Sequence, residues 1–501
     1  MNTRFCFLLI STILILSKTV DAQDTLNVSM QQFIEQDIEN SKQLNVNERL
    51  FKLPADGELN YGVSVFSAFS SEGDTPFWLH ANRYDVVDQN SSNLGTRLFF
   101  DYRYPLSDNF SVFAGSDILA RYSDNSDLRL QQAYIGLQYA NMILYGGRKI
   151  EQFGLVHPTL SLGSMDWSPN VRPMTKIVFR TDGFQPIPFT RDFAFFDFYY
   201  SHGWMNDNKT RFVNNTMLHQ KYAYLRLFRE EHVFTPVAGV VHSIQWGGHS
   251  PTAGQIPASF RNYLQAVFSQ RATPGEFSEG WEVNRYGNSV GIYDFAVLLH
   301  FDFARISIGR QFYLEDTPNA RFAAPMDGLW SLTMVRKNVE RTLIHSFTYE
   351  HVNTLEQLSN NPKRRGSTAN YYNHTVYRGG WTYYGRVIGT PLYFSDENYF
   401  GVVNNELIAH HIGFTGNLSM RLSYRAFATY SRNYGAQNIR RVEGGSDRGN
   451  FNRKDQYSFM LELERSVFQP NVVLKTAIGY DTGEVYTDNL GMLISISWYG
   501  N

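Results

Sequence analysis

From about residue 60 onward the chain alternates. Leu98, Phe100, Tyr102 and Tyr104 share one parity, and Arg97, Phe99, Asp101 and Arg103 the other. Met420, Leu422, Tyr424, Ala426, Ala428 and Tyr430 likewise face away from Arg421, Ser423, Arg425 and Thr429. Tyr457, Phe459, Leu461 and Leu463 oppose Ser458, Glu462 and Glu464, and Leu490, Met492, Ile494, Ile496 and Trp498 oppose Ser495 and Ser497. Side chains of a strand alternate between faces, so each segment presents one apolar surface and one that carries polar groups or charge. Similar segments recur at 110–122, 131–139, 141–149, 194–202, 220–229, 233–245, 291–301, 303–313, 343–353, 405–415 and 472–482. The exception precedes them. Met30, Phe33, Ile34 and Ile38 recur at helical spacing and predict a helix over 29–45 with Ser29 as cap.

A soluble sandwich or propeller shows the same alternation. Here the segments are long, and Tyr and Phe dominate the apolar faces and gather at segment ends (Tyr102, Tyr104, Tyr430, Tyr457, Trp498). Rings that are part apolar and part polar belong at a membrane–water boundary. Aromatics make up 15% of the chain, with 38 Phe and 31 Tyr, as expected when an apolar outer face is diluted by a polar lumen. The fold class is therefore all-β: a transmembrane antiparallel β-barrel of about 16 to 18 strands with a short N-terminal helical segment. Short turns such as Ser107-Asp108-Asn109 and Pro470-Asn471 read as periplasmic hairpins. The Gly-, Pro- and Asn-rich stretches 155–190, 247–290, 314–342, 354–404 and 432–455 read as external loops or infolded constrictions. A barrel of that width is not filled by strand side chains alone.

Arg4, the apolar run Phe5–Leu16 and the small-residue pattern of Val20 and Ala22 predict a secretory signal peptide over 1–22. The segment 23–58 then holds the helix, as a plug or a periplasmic element, and 59–501 the barrel, so the expected location is the cell outer membrane. Cys6 is the sole cysteine and falls in the leader, which excludes a disulfide scaffold. A net charge of −2 argues against a nucleic-acid partner. The one basic run, Lys363-Arg364-Arg365, reads as a solvated loop tip.

Catalytic signatures are missing. There is no G-x-S-x-G elbow, no H-E-x-x-H and no phosphate-cradling glycine loop. His410 and His411 are adjacent, so on a strand their rings point to opposite faces and cannot share a metal. The chain reads as a non-enzyme without cofactor or metal. Its irregular stretches instead concentrate Trp, Gly, Arg, Asp and Asn. Flat rings stack on sugar faces while guanidinium, carboxylate and amide groups bridge hydroxyls. The candidate polysaccharide contacts are Trp78, Arg148, Asp166, Trp167, Arg172, Trp246 and Trp381. The competing reading is that the same residues pack loops, the ordinary role of a buried Trp.

These clusters, in order, resemble the Wzi-like capsule-assembly family of outer-membrane proteins in its Bacteroidetes form. The resemblance rests on Pro76-Phe-Trp-Leu-His-Ala-Asn82, Gly147-Arg-Lys149, Asp166-Trp167, Arg172-Pro-Met174 and His219-Gln-Lys-Tyr222. It continues in Gln245-Trp-Gly-Gly248, Tyr286-Gly-Asn288, Gly328-Leu-Trp330, Trp381-Thr-Tyr-Tyr-Gly-Arg386 and Gly389-Thr-Pro-Leu392. It spans most of 75–395. Residues 396–501 match as barrel strands alone. The resemblance implies a barrel of about 18 strands with a helical element occluding the lumen. It also implies a lectin-like role in surface attachment or assembly of capsular or extracellular polysaccharide, with outer-membrane lipid as the surrounding partner. The chain is expected to act as a monomer. A porin-like channel for small solutes, motivated by lumen charges such as Asp117, Arg121, Arg425 and Glu462, is the alternative. A hydrolytic outer-membrane enzyme is a third reading.

Overall fold

The computed structural model describes residues 59–500 apart from 91, 231, 274–284, 316–320, 338–341, 358–369, 397–400, 437–452 and 469–470. The expected leader, the expected helix over 29–45 and Lys363–Arg365 lie outside the described residues.

The alternation is realised as eighteen antiparallel strands that close on themselves. In chain order they are β1 (Leu59–Ser70), β2 (Asn93–Ser107), β3 (Phe110–Tyr122), β4 (Asp127–Tyr139), β5 (Met142–Arg148) and β6 (Thr175–Thr181). Next come β7 (Ala194–Trp204), β8 (Met217–Leu227), β9 (Phe234–Trp246), β10 (Asn288–His300), β11 (Ala304–Tyr313) and β12 (Gly328–Arg336). The last are β13 (Ser346–Asn353), β14 (Leu407–Ser419), β15 (Leu422–Asn433), β16 (Lys454–Ser466), β17 (Val472–Gly483) and β18 (Asn489–Gly500). Each strand pairs with its neighbours in sequence. β1 pairs with β18, Val63 opposite Trp498, and this seals the barrel. A two-residue strand at Gln185–Pro186 adds itself to the start of β7.

Strand β2 shows how the sequence chooses faces. Leu94, Leu98, Phe100, Tyr102 and Tyr104 are exposed on the outer wall, whereas Asp101 is buried on the inner one. On β16 Tyr457, Phe459 and Leu461 point outward and Ser458, Met460 and Glu462 are buried inward. In water a continuous wall of bare large apolar side chains is an aggregation surface. In hydrocarbon it is the stable arrangement, because closure leaves no strand edge with unpaired backbone groups.

The connections divide by end. Two-residue turns, Asp108-Asn109, Ala140-Asn141 and Met420-Arg421, sit at the end where β1 begins and β18 finishes. The long segments 71–92, 149–174, 205–216, 247–287, 314–327 and 354–406 sit at the other. Two expectations need correction. The stretches 155–190 and 314–342 are not single loops, because β6 and β12 run through them. On β6 the alternation is short, and its inner face carries Lys176 and Arg180, so Ile177 and Phe179 alone mark the outer face. On β12 Gly328 and the Pro- and Asn-containing residues before it masked an outer row of Trp330, Leu332 and Met334. The helices among the described residues are α1 (Phe77–His80) and α2 (Phe260–Val267), both within long-loop segments.

Candidate functional site

The inner wall is not bare. Segments 74–90, 149–174, 205–216 and 371–396 fold back into the lumen and form one buried mass. Phe77, Trp78, Leu79, Phe153, Leu160, Leu162, Met165, Trp167, Tyr371, Tyr372, Trp381 and Tyr393 pack there against inward strand residues such as Tyr199, Tyr222, Ile292 and Phe427. Irregular backbone inside a barrel must find hydrogen-bond partners, since each buried orphan costs about 1–3 kcal/mol. The wall supplies them. Asp481 on β17 accepts from the Phe77 amide (2.7 Å) and Thr429 on β15 from Trp78 Nε1 (2.9 Å). Asp294 on β10 accepts from the Leu155 amide (2.7 Å), and Glu350 on β13 from the Leu162 amide (2.7 Å) and the Ser161 hydroxyl (2.5 Å). Gln311 on β11 accepts from the Met165 amide (3.0 Å), and a ring nitrogen of His411 on β14 bonds the Leu160 carbonyl (2.8 Å). Much of the polar face that could line a channel is thus engaged in holding the insert.

The insert segments also lock to one another. Trp381 Nε1 donates to the Asp166 carbonyl (2.9 Å), Asn170 to the Val387 carbonyl (2.9 Å) and the Tyr372 hydroxyl to the Met165 carbonyl. The Asp166 carboxylate accepts from Ser243 on β9 (2.9 Å), while its Oδ1 has no hydrogen-bond partner among the described residues. Burial pushes this carboxyl up to about 7, against the smaller opposing effects of Ser243 and Lys176.

Toward the long-loop end lies a second focus, Asp85. Its carboxylate meets Arg386 (3.0 Å), Arg121 (3.5 Å), Arg129 (3.7 Å) and Arg172. Burial alone would raise this carboxyl, but the guanidiniums of Arg386, Arg172, Arg129 and Arg121 overcome it and hold the group at about 2. Asp127 and Asp88 supply further negative charge, to Arg172 at 3.3 Å and to Arg121 at 3.8 Å. The Arg172 guanidinium lies 4.0 Å over the half-buried Tyr384 ring. Tyr384 is fixed by its amide to Asp207 (3.0 Å) and its hydroxyl to the Asn206 carbonyl (3.1 Å).

The seven candidate contacts therefore separate. Asp166, Trp167 and Trp381 come together inside the insert, with Lys176 Nζ 4.6 Å from the Trp167 ring. Trp78 is buried in another sector against His411 and Phe427. Trp78, Asp166 and Trp381 show at most 2% of their surface. Arg172 is half-buried in the Asp85 cluster, and Arg148, also half-buried, bonds Thr175 (2.9 Å) and the Leu130 carbonyl (3.3 Å). Trp246 points to the outer side of β9, against Tyr263 and Tyr286. His410 and His411 do face opposite ways, toward Tyr349 outside and Thr429 inside. Asp85 was missed, because one Asp in an irregular stretch carries no signal until four arginines from distant segments converge on it. Arg386 lies within the quoted Trp381–Arg386 motif, and the parity of β3 already placed Arg121 on the inner face.

A family model described as capsule assembly protein Wzi matches residues 67–424. Among solved structures, the chain is similar to one described as Wzi, an outer membrane protein involved in group 1 capsule assembly in Escherichia coli and a carbohydrate-binding β-barrel. The TM-score is 0.56 at 14% identity, over 97% of this chain and 91% of that one. OccK5 (OpdH) of Pseudomonas aeruginosa matches at TM-score 0.46 and 8% identity, over 89% and 98%. No curated protein matches the sequence.

Proposed function

The chain belongs to the capsule assembly protein Wzi family, and from that premise we propose that it binds capsular or extracellular polysaccharide and supports its attachment or assembly at the cell surface. Outer-membrane barrels keep short turns on the periplasmic side and long loops outside. The rim of the insert then faces the surface glycan. The observation that carries the reading is the insert itself. A lumen filled by loops bonded to strands all round the wall suits a rigid platform better than a wide path for solutes.

In this reading the contacts lie at the rim. Arg172, spread over Tyr384, offers a charge-assisted donor beside a ring, the pair of groups that a sugar with hydroxyl or carboxylate substituents engages. Arg148 is a second cation for the same polymer. Trp78, Asp166, Trp167 and Trp381 act from beneath, keeping the platform in one shape, and Trp246 anchors the rim from the outer side. The work assigned is binding, with no bond made or broken. Titrating the folded chain with the capsular polysaccharide of its host tests this. Arg172→Ala is expected to weaken binding about tenfold, the loss of one charge-assisted contact of ~1.5 kcal/mol, with heat-modifiable migration unchanged. Unchanged affinity in an Arg172→Ala/Tyr384→Ala double variant contradicts the placement.

A further inference from the structure

Helix α2 is inside out for a soluble protein. Its buried side chains are Asn262, Gln265, Ala266 and Val267, whereas the larger apolar Phe260, Leu264 and Phe268, the last being its C-cap, are exposed by 74%, 37% and 66%. Those three follow at intervals of four, so they form one apolar stripe along the helix. The helix is otherwise well made. Ser259 and Asn262 form a reciprocal capping box, Asn262 donates to Gln265 (2.9 Å), and Gln265 donates to the Arg271 carbonyl and to Thr273 (each 3.0 Å). The stripe is thus a choice of sequence on an ordered element.

What α2 covers explains the inversion. On β7, β8 and β9 the outward parity is carried by Tyr200, His202, His219, Lys221, His242 and Trp246, a patch of polar and titratable groups on the outer wall. The helix lies over this patch. Lys221 Nζ donates to the carbonyl of Val267, the last residue of α2, where the negative end of the helix dipole favours a cation. Tyr263 bonds Tyr200 (2.5 Å), meets His202 and His219 edge-on and lies tilted against Trp246, and Ser269 just beyond the helix meets His242 (2.9 Å). Around the covered patch the wall resumes as exposed Trp204, Leu225 and Phe295. A charged side chain on a lipid-facing wall costs up to about 2–4 kcal/mol at mid-depth. The helix shields that charge and returns an apolar surface at the same place.

We infer that α2 is a lipid-embedded patch of the outer wall. Its Phe260–Leu264–Phe268 stripe seats in the acyl region of the outer leaflet, continuing the barrel's own lipid-facing belt. The occupant is lipid hydrocarbon, since the stripe is continuous with that belt. Single nitroxide labels at Phe260→Cys, Leu264→Cys and Phe268→Cys, in the full chain with Cys6→Ser and reconstituted in phospholipid vesicles, test this by collision with oxygen against a water-soluble nickel chelate. Leu98→Cys on the wall gives the lipid reference and Asp124→Cys in the β3–β4 loop the aqueous one. Heat-modifiable migration certifies folding of each labelled chain. The labels at 264 and 268 are expected to give oxygen-to-nickel ratios near that of the Leu98 label and several-fold above that of the Asp124 label. Ratios near the Asp124 value, as for a helix held above the membrane or one that stacks on glycan, overturn the inference. So does shielding from both reagents with spin–spin broadening, which would mark a contact with a second copy of the chain.

Discussion

Asp85 and Asp166 are both buried carboxylates in the same insert, yet their surroundings drive them in opposite directions. Asp85, held at about 2 against an ordinary 3.8, contributes stability that is present above pH 3.8 and lost as pH falls toward 2. Asp166, raised to about 7, prefers its neutral form, so its contribution is complete below 3.8 and lost as pH rises through 7. The insert should therefore be firmest near pH 4 to 5. Insert tryptophan fluorescence followed on heating should show its red shift at falling temperature between pH 5 and 8, and Asp166→Asn should flatten that fall. Asp85→Asn should instead lower the transition at every pH above 4. It leaves four guanidiniums around a neutral amide, and breaking a buried ion pair costs about 3–5 kcal/mol. A pH profile unchanged by Asp166→Asn contradicts the assignment. Sequence picked out Asp166 only as a candidate sugar contact and Asp85 not at all, because burial and guanidinium neighbours are set by chain segments far apart.

At the scale of elements, strand parity was legible wherever ten or more residues alternated, as in β2, β15 and β16. It failed for β6, whose seven residues put Lys176 and Arg180 inward and left a weak outer face. Helix α2 was unreadable for a different reason: its large apolar side chains form an exposed stripe, while its buried face mixes Asn262 and Gln265 with the smaller Ala266 and Val267, against the amphipathic rule. The loop motifs were legible as chemistry, but their geometry was not. Trp381 and Asp166, 215 positions apart, meet through one hydrogen bond. Close packing between these segments makes Gly389 irreplaceable. A Cβ there would collide with the Tyr372 hydroxyl and come within 2.6 Å of the Met165 carbonyl. Gly389→Ala is expected to loosen segment 149–174, seen as faster protease cleavage there, while the barrel still migrates as a folded species on gels. Trp381→Ala should do the same, with about 3–5 kcal/mol lost from the insert. Cleavage at the wild-type rate in both variants would mean that the segments do not depend on each other.

The whole molecule was legible as a barrel too wide to fill itself. What fills it was legible as motifs in long loops, and not as a wall-bonded insert. Lumen charges that read as the lining of a pore, Arg121, Arg425 and Glu462, prove to be bound to the insert or to each other. The wild-type chain in planar bilayers should therefore carry little steady current, and Glu350→Ala, which frees the 161–162 backbone from β13, should raise it. Large steady conductance in the wild type would favour the porin reading. The central claim, that this closed barrel holds polysaccharide at the surface, is met most directly by weighing cell-bound against released polysaccharide in a strain without the chain and in one complemented with it. The account predicts that release rises without the chain, that total synthesis is unchanged, and that complementation restores retention. Equal cell-bound polysaccharide with and without the chain would contradict it.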